Sequence, residues 1–214
     1  MIDKEKRTLI FDFGNVLINL DYPKCFSTFY KVLGQDFSKG LPDKTKEHLF
    51  RYERGQINTE AFLWHLQQYK PEAEVREIIS AWNEVLGELP LSRLQMVAEL
   101  RKNYNVVLLS NINDLHEKDI HKYVKNVLHI EDFHADYFDK VYYSHLIKLR
   151  KPDREIYDYV TSDLDVKAES ILFIDDMEIN IAACKAAGWN GVTHNPEEDI
   201  INNISSYIKR GFSS

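Results

Sequence analysis

Residues 8–16 read Thr-Leu-Ile-Phe-Asp-Phe-Gly-Asn-Val, an apolar run that carries one carboxylate and closes on a Gly-Asn turn signal. Thr8 to Phe13 has the length and the β-branched and aromatic content of an interior strand, and Gly14-Asn15 ends it. Working outward, Asn105 to Ser110 (NVVLLS), Lys140 to Ser144 (KVYYS), Ser170 to Asp175 (SILFID) and Gly191 to His194 (GVTH) repeat the pattern. Segments with helical spacing lie between them: Ser92 to Asn103, Asp114 to Asn126, Pro152 to Leu164 and Glu178 to Ala187, the last stopped by Gly188. Strands separated by helices of this length pair in parallel through right-handed crossovers. The expectation is an α/β fold, a parallel sheet with helices on both faces.

Leu20 to about Leu91 breaks the alternation. Amphipathic stretches at Pro23 to Leu33, Lys44 to Glu53, Thr59 to Tyr69 and Glu72 to Leu86 predict four helices, punctuated by Pro42, Gly55, Pro71 and Pro90. The expected division is therefore a core of residues 1–19 and 92–214 with a helical insertion at 20–91. Such an insertion would lie over the C-terminal edge of the sheet, where open α/β folds bind ligands.

Composition limits the function. With 44% hydrophobic and 29% charged residues in a chain of 214, disordered and fibrous classes are excluded. A net charge of −7 repels polyphosphate backbones, so nucleic acid is not an expected partner. Cys25 and Cys184 form no C-x-x-C pair and read as reduced thiols in a cytoplasmic protein. No apolar stretch is long enough to span a membrane, and the charged segment from Met1 to Arg7 does not open a signal peptide. Since no long apolar stripe remains once core and insertion are assigned, a monomer is expected.

An Asp at a strand end, taken alone, is usually a turn or cap residue. Three further features fall at C-terminal strand ends: Ser110-Asn111, Lys151-Pro152 and Asp175-Asp176. Parallel strands converge there, so one site could hold a carboxylate, a hydroxyl, an ammonium and a carboxylate pair. Each suits phosphoryl transfer from a monoester. Asp12 can attack phosphorus and form an aspartyl phosphate, which divides one hard hydrolysis into two easier steps. Carboxylates this close to a phosphate need a hard cation, for which Mg²⁺ is the natural choice. Lys151 and Ser110 can stabilise the phosphoryl oxygens as charge develops.

The set Phe11-Asp12-Phe13-Gly14-Asn15-Val16, Leu109-Ser110-Asn111, Arg150-Lys151-Pro152 and Asp175-Asp176 resembles the four motifs of the haloacid dehalogenase superfamily over nearly the whole chain. Within it, with Glu53-Arg54-Gly55 added, the chain is most similar to the capped subfamily I branch of sugar-phosphate phosphatases. That branch includes bacterial α-glucose-1-phosphate phosphatase and the N-terminal phosphatase domain of soluble epoxide hydrolase. The resemblance implies a Rossmann-like core with an all-helical cap, and a small phosphorylated metabolite as substrate. It implies Asp12, the Gly14 carbonyl and Asp176 as metal ligands, Asp175 acting through a metal-bound water, and Ser110, Asn111 and Lys151 as phosphate holders. Gly14 departs from the common pattern, in which a second Asp serves as acid and base. A hexose 1-phosphate, whose anomeric oxygen leaves readily, would suit that loss. The alternatives are a haloacid dehalogenase, which also lacks the second Asp but needs no metal, and a phosphometabolite- or protein-binding pseudophosphatase.

Other features have plainer readings. His116, His121, His129 and His134 recur at intervals that do not share a helical face, which favours a solvated polar segment over a metal cluster. Trp64, Tyr69 and Trp82 read as core of the helical insertion, with a sugar-binding wall as the alternative. Glu53-Arg54-Gly55 reads either as a loop facing the site or as a helix end closed by Gly. Of the basic cluster Lys148, Arg150 and Lys151, the last is expected at a helix start near the sheet edge.

Overall fold

The computed structural model describes residues 2–213. Five strands, β1 (Thr8–Phe11), β2 (Asn105–Ser110), β3 (Lys140–Tyr143), β4 (Ile171–Asp175) and β5 (Asn190–Thr193), form one parallel sheet in the order β3-β2-β1-β4-β5. The carboxylate-bearing strand is central, with Phe11 opposite Leu108 on one side and Ile174 on the other. All of β1, β2 and β4 is buried, as continuous apolar runs in a doubly covered sheet must be.

Side-chain alternation divides the core. Leu9, Phe11, Leu108 and Ile174 point to one face, and Ile10, Leu109 and Phe173 to the other. The first face is covered by α5 (Leu91–Leu100), α6 (Asp114–Asn126), α7 (Phe133–Tyr137) and α11 (Ile200–Gly211). The second packs against α9 (Arg154–Leu164) and α10 (Glu178–Ala186). α11 lies beyond the last element read from the sequence. Its buried Ile200, Ile204 and Tyr207 form a helical stripe, capped by the Asp199 side chain on the Ile201 N–H.

Between β1 and α5 the chain makes α1 (Tyr22–Leu33), α2 (Asp43–Glu53), α3 (Thr59–Gln67) and α4 (Val75–Asn83). These four helices share an apolar core of their own around Cys25, Phe29, Phe62 and Trp82. Phe62 and Trp82 meet edge to face, with their ring centroids 4.9 Å apart. The unit rests on the sheet domain through α4 against α6, and through α2 against the short α8 (Ser144–Ile147). No helix among the described residues is long and apolar enough to cross a membrane.

The sequence reading is corrected at several points. Trp64 is 63% exposed and belongs to no core. Trp82 is buried and at the same time lines a cavity beside the sheet edge. The His116 to His134 segment is more than a solvated face. His116 stacks on Trp82 at 5.0 Å, His134 is 2.9 Å from the Tyr143 hydroxyl, and only the region around His129 stays peripheral. α9 begins at Arg154, so Lys151 precedes the helix instead of opening it. The basic cluster also disperses, with Lys148 exposed, Arg150 half-buried and Lys151 enclosed.

Candidate active site

The register of the sheet assembles the site. One residue beyond the Phe11–Leu108 and Phe11–Ile174 pairs, Asp12, Leu109 and Asp175 lie level across three strands. Asp12 and Asp175 share the side-chain parity of Ile10 and Phe173, so both carboxylates point to the same face. Lys151 closes the row from the loop before α9. Its Nζ donates to Asp12 Oδ1 at 2.7 Å, Asp175 Oδ2 at 2.7 Å and the Leu109 carbonyl at 3.0 Å. All three protons of an ammonium that is 1% exposed are used. Burial alone would lower the Lys151 pKa, yet the two carboxylates hold it above the usual value, so it is cationic.

Asp175 is saturated. Beyond Lys151, it accepts from the Met177 N–H at 2.8 Å and from Asn180 Nδ2 at 2.9 and 3.0 Å. Its contribution is to aim Lys151 and to add negative charge. Asp176, just beyond the end of β4, is half-buried. It accepts from Asn15 Nδ2 at 2.9 Å, and burial raises its pKa, with Asp175 adding to the rise and Asn15 opposing it. Asn15 holds a left-handed φ of 56° and also accepts from the Leu20 N–H through Oδ1, so one carboxamide ties the turn to Asp176.

Asp12, unlike Asp175, has an oxygen to spare. Oδ2 accepts no hydrogen bond from the described residues, and burial pushes this carboxyl up to about 7, with Lys151 opposing and Asp175 and Asp176 reinforcing the rise. Three carboxylates therefore share one ammonium. Oxygens of Asp12, Asp175 and Asp176 lie within 4.8 Å of one another, the only such cluster of acidic, histidine or cysteine groups among the described residues. The donor set is all oxygen and carries surplus negative charge, which fits a hard divalent cation and leaves no role for a soft one.

Asn111 does not present its carboxamide to the site. Its Oδ1 accepts from the Lys151 N–H and its Nδ2 donates to the Lys151 carbonyl, both at 2.9 Å, so it braces the main chain of the lysine. Ser110 ends β2 with an Oγ that has no partner among the described residues and lines the cavity. Gly14 lies on the same cavity, and a Cβ there would approach Leu20 Cδ1 at 2.8 Å, the flexible end of a side chain.

The helical unit supplies residues that the sequence reading did not assign. Tyr22, at the start of α1, lines the cavity; burial, then Asp176, Glu53 and Asp12, push its phenol up to about 12. Glu53 binds Arg150 Nε at 2.5 Å, and Arg150 lies 3.9 Å from the Phe50 ring centroid. Arg54 grips Asp153 through Nε at 3.2 Å and Nη2 at 2.5 Å. Both readings of Glu53-Arg54-Gly55 hold together. Gly55 donates to Tyr52 O and Gln56 to Arg51 O, the paired bonds of a Schellman helix end, while the two preceding side chains clamp either side of Lys151-Pro152.

A central aspartate with a free oxygen, a buried lysine beside it and an acidic pair at the next strand thus meet at the C-terminal edge of a Rossmann-like parallel sheet. The model for haloacid dehalogenase-like hydrolases matches residues 6–188, and the chain belongs to this family. It is 30% identical over 199 residues to the D-ribitol-5-phosphate phosphatase of Bacteroides thetaiotaomicron, covering 89% of this chain and 92% of that protein. It is also 30% identical over 192 residues to a sesquiterpene phosphatase of Aspergillus oryzae, covering 87% and 88%. A crystal structure of a haloacid dehalogenase family enzyme from B. thetaiotaomicron, in complex with magnesium and inorganic phosphate, superposes with a TM-score of 0.78 at 33% identity, over 91% of this chain and 96% of that one.

Proposed function

We propose that this chain is a Mg²⁺-dependent phosphatase that hydrolyses the monoester of a small molecule through an aspartyl phosphate on Asp12. Asp12 Oδ2 attacks phosphorus, the P–O bond to the alcohol breaks, and the alkoxide takes a proton from solvent. Water then attacks the acyl phosphate, releasing phosphate and regenerating the carboxylate. Bound Mg²⁺, held by Asp12, Asp176 and the Gly14 carbonyl, would neutralise the phosphate against the carboxylates. Lys151 through its charge and Ser110 through its free hydroxyl stabilise the phosphoryl oxygens, Asn111 and Asp175 hold Lys151 in place, and residues 20–91 act as a cap. The relatives support a phosphomonoester: one is named for a polyol phosphate and another for a terpenyl phosphate, and a structural neighbour binds magnesium and phosphate.

The observation that carries this reading is Lys151, bonded at 2.7 Å to both Asp12 and Asp175 while Asp12 keeps its second oxygen free. The adjacent acid pair weighs against dehalogenation, which needs no metal to balance it. With no acid at position 14, proton transfer to the leaving group falls to solvent, and a hexose 1-phosphate, whose anomeric oxygen leaves readily, is one candidate ester. The test is phosphate release from p-nitrophenyl phosphate and hexose 1- and 6-phosphates, with and without Mg²⁺, alongside hydroxylamine trapping of the acyl phosphate. Mg²⁺-dependent release that vanishes in Asp12→Asn supports the reading. Failure to hydrolyse any ester would return the pseudophosphatase or dehalogenase.

A further inference from the structure

The cavity above Ser110 and Gly14 has a volume of about 160 Å³. Apolar side chains, Ile18, Leu20, Leu49, Val85, Leu86 and Ile112 among them, form most of its wall. Its polar side chains are largely occupied elsewhere. His116 contacts the Trp82 carbonyl through Nε2 at 3.2 Å and Asn113 Nδ2 through Nδ1 at 3.1 Å, so both ring nitrogens are used. Burial drives this imidazole down to about 4, which leaves the wall uncharged there. Asn111 is spent on the Lys151 main chain, Cys25 Sγ faces the Ala81 carbonyl at 3.3 Å, and the Trp82 indole N–H points to Asn113 Oδ1 at 3.4 Å. Glu53 Oε2 is held by Arg150. Apart from Ser110 on the phosphate side, the lining side chains among the described residues keep only the Tyr22 hydroxyl and Glu53 Oε1 for a ligand.

A polyhydroxylated leaving group would bury several hydroxyls against this wall without partners, and unsatisfied buried hydroxyls are strongly penalised. A hydrocarbon suits it, since a dry apolar cavity of about this size accommodates a benzene-sized molecule. Tyr22 and Phe26 line both this cavity and a surface groove that Tyr30 borders. These aromatic residues repeat at i, i+4 and i+8 along α1, on one helix face.

We propose that the alcohol portion of the substrate is apolar: a hydrocarbon chain or ring whose first six or so carbons fill the cavity, any longer tail leaving between Tyr22 and Phe26. This rests on the phosphomonoester reading above and narrows it to the esters of hydrophobic alcohols, in place of the sugar phosphates that family resemblance suggests. Glu53 and Tyr22 then stand at the mouth, and the phosphate sits alone at the polar end.

The test separates binding from turnover. Titration calorimetry of the Mg²⁺-loaded wild-type protein with n-alkylphosphonates from ethyl to octyl reads the pocket without chemistry. Kd is expected to fall about fourfold per methylene up to hexyl and then more gently, by less than about twofold per methylene, as the tail passes Tyr22 and Phe26. A six-carbon polyhydroxylated phosphonate should bind no more tightly than ethylphosphonate. Leu49→Asn should cut the gain to about twofold per methylene, and Phe26→Ser should remove the smaller gain beyond hexyl. A flat alkyl series, or a polyol phosphonate that binds more tightly than hexylphosphonate, overturns the proposal. The phosphatase reading is judged separately by Mg²⁺-dependent hydrolysis of p-nitrophenyl phosphate, so either conclusion can fail while the other stands.

Discussion

Gly55→Ala probes the joint between the helical unit and the sheet domain. Gly55 has φ +59°, and a Cβ built on it would lie 2.3 Å from the His145 carbonyl oxygen in α8. Two costs add. An L-residue in the left-handed region costs about 1 kcal/mol over glycine. The contact is also roughly 1 Å too close, against a backbone atom that cannot rotate away, and overpacking of this kind costs about 1–3 kcal/mol. The sum, about 2–4 kcal/mol, corresponds to a fall in Tm of roughly 4–16 °C for a chain of this size. If instead the loop lifts off α8, Glu53 and Arg54 leave Arg150 and Asp153, and the residues flanking Lys151 lose their clamp. A shift of about 1 Å near reacting groups costs on the order of 100-fold in rate. Differential scanning calorimetry together with kcat and KM on one phosphomonoester follows both routes. Gly55→Asn separates the causes, because Asn tolerates positive φ but still carries the Cβ, and it should recover only the smaller part. Wild-type Tm and kcat/KM in both variants would refute the argument that this loop is pressed against the core.

Lys151→Met leaves Asp12 and Asp175 facing each other in a buried site; stability measured by urea denaturation should fall by about 3–5 kcal/mol, and kcat by at least 10³-fold. The pH dependence of stability should separate two groups in the metal-free protein. Asp12, raised from 3.8 to about 7, keeps a proton in the fold that the unfolded chain releases, so its contribution declines as pH rises through that window. His116, lowered from 6.5 to about 4, acts in the opposite sense, and its contribution is lost as pH falls from 6.5 toward 4. Between pH 4 and 6.5 the slope of unfolding free energy against pH should therefore become more positive by about 1.4 kcal/mol per unit in Asp12→Asn and more negative by a similar amount in His116→Phe. Gly14→Asp needs only rotation of Leu20 to fit, and it should raise turnover of alkyl esters relative to p-nitrophenyl phosphate at least tenfold; an unchanged ratio would mean that leaving-group protonation does not limit this enzyme.

What could be read from the sequence followed period and punctuation. Thr8–Phe11, Asn105–Ser110 and Ile171–Asp175 are short, fully buried runs, and the residues at their C-terminal ends meet because parallel strands in register bring them level. Side-chain pairing between distant residues is not written in any local pattern. Asn111 could be placed beside the site, but its two bonds to Lys151 span 40 residues, and the Glu53–Arg150 pair spans 97. Asn180 reads as one more polar residue on an amphipathic helix until Asp175 is seen beneath it. α11 carries a clear apolar stripe, yet Ile, Asn and Ser are indifferent helix formers, and its helicity depends on burial against the sheet. Trp64 and Trp82 occupy successive helices of one unit, and only the packing distinguishes the exposed ring from the cavity wall.

The missing carboxylate at position 14 and the apolar cavity have a common physical origin. Gly14 is not required by backbone geometry, since its φ lies outside the left-handed region and a Cβ would meet only the mobile tip of Leu20. What its hydrogen preserves is the polarity of the cavity floor. An Asp there would place a fourth carboxylate near Asp12, Asp175 and Asp176, with Lys151 the one buried ammonium bonded within that cluster and Ile18 and Leu20 as its neighbours. Burial and like charge would raise its pKa, which suits a general acid but brings a polar group against the part of the ligand that the walls are built to keep dry. With glycine, the protonation step of the proposed mechanism passes to solvent and the wall at Ile18 and Leu20 remains apolar. The same substitution thus trades help for the leaving group against affinity for a hydrocarbon, and Gly14→Asp should weaken hexylphosphonate more than ethylphosphonate even where it accelerates the hydrolysis of alkyl esters.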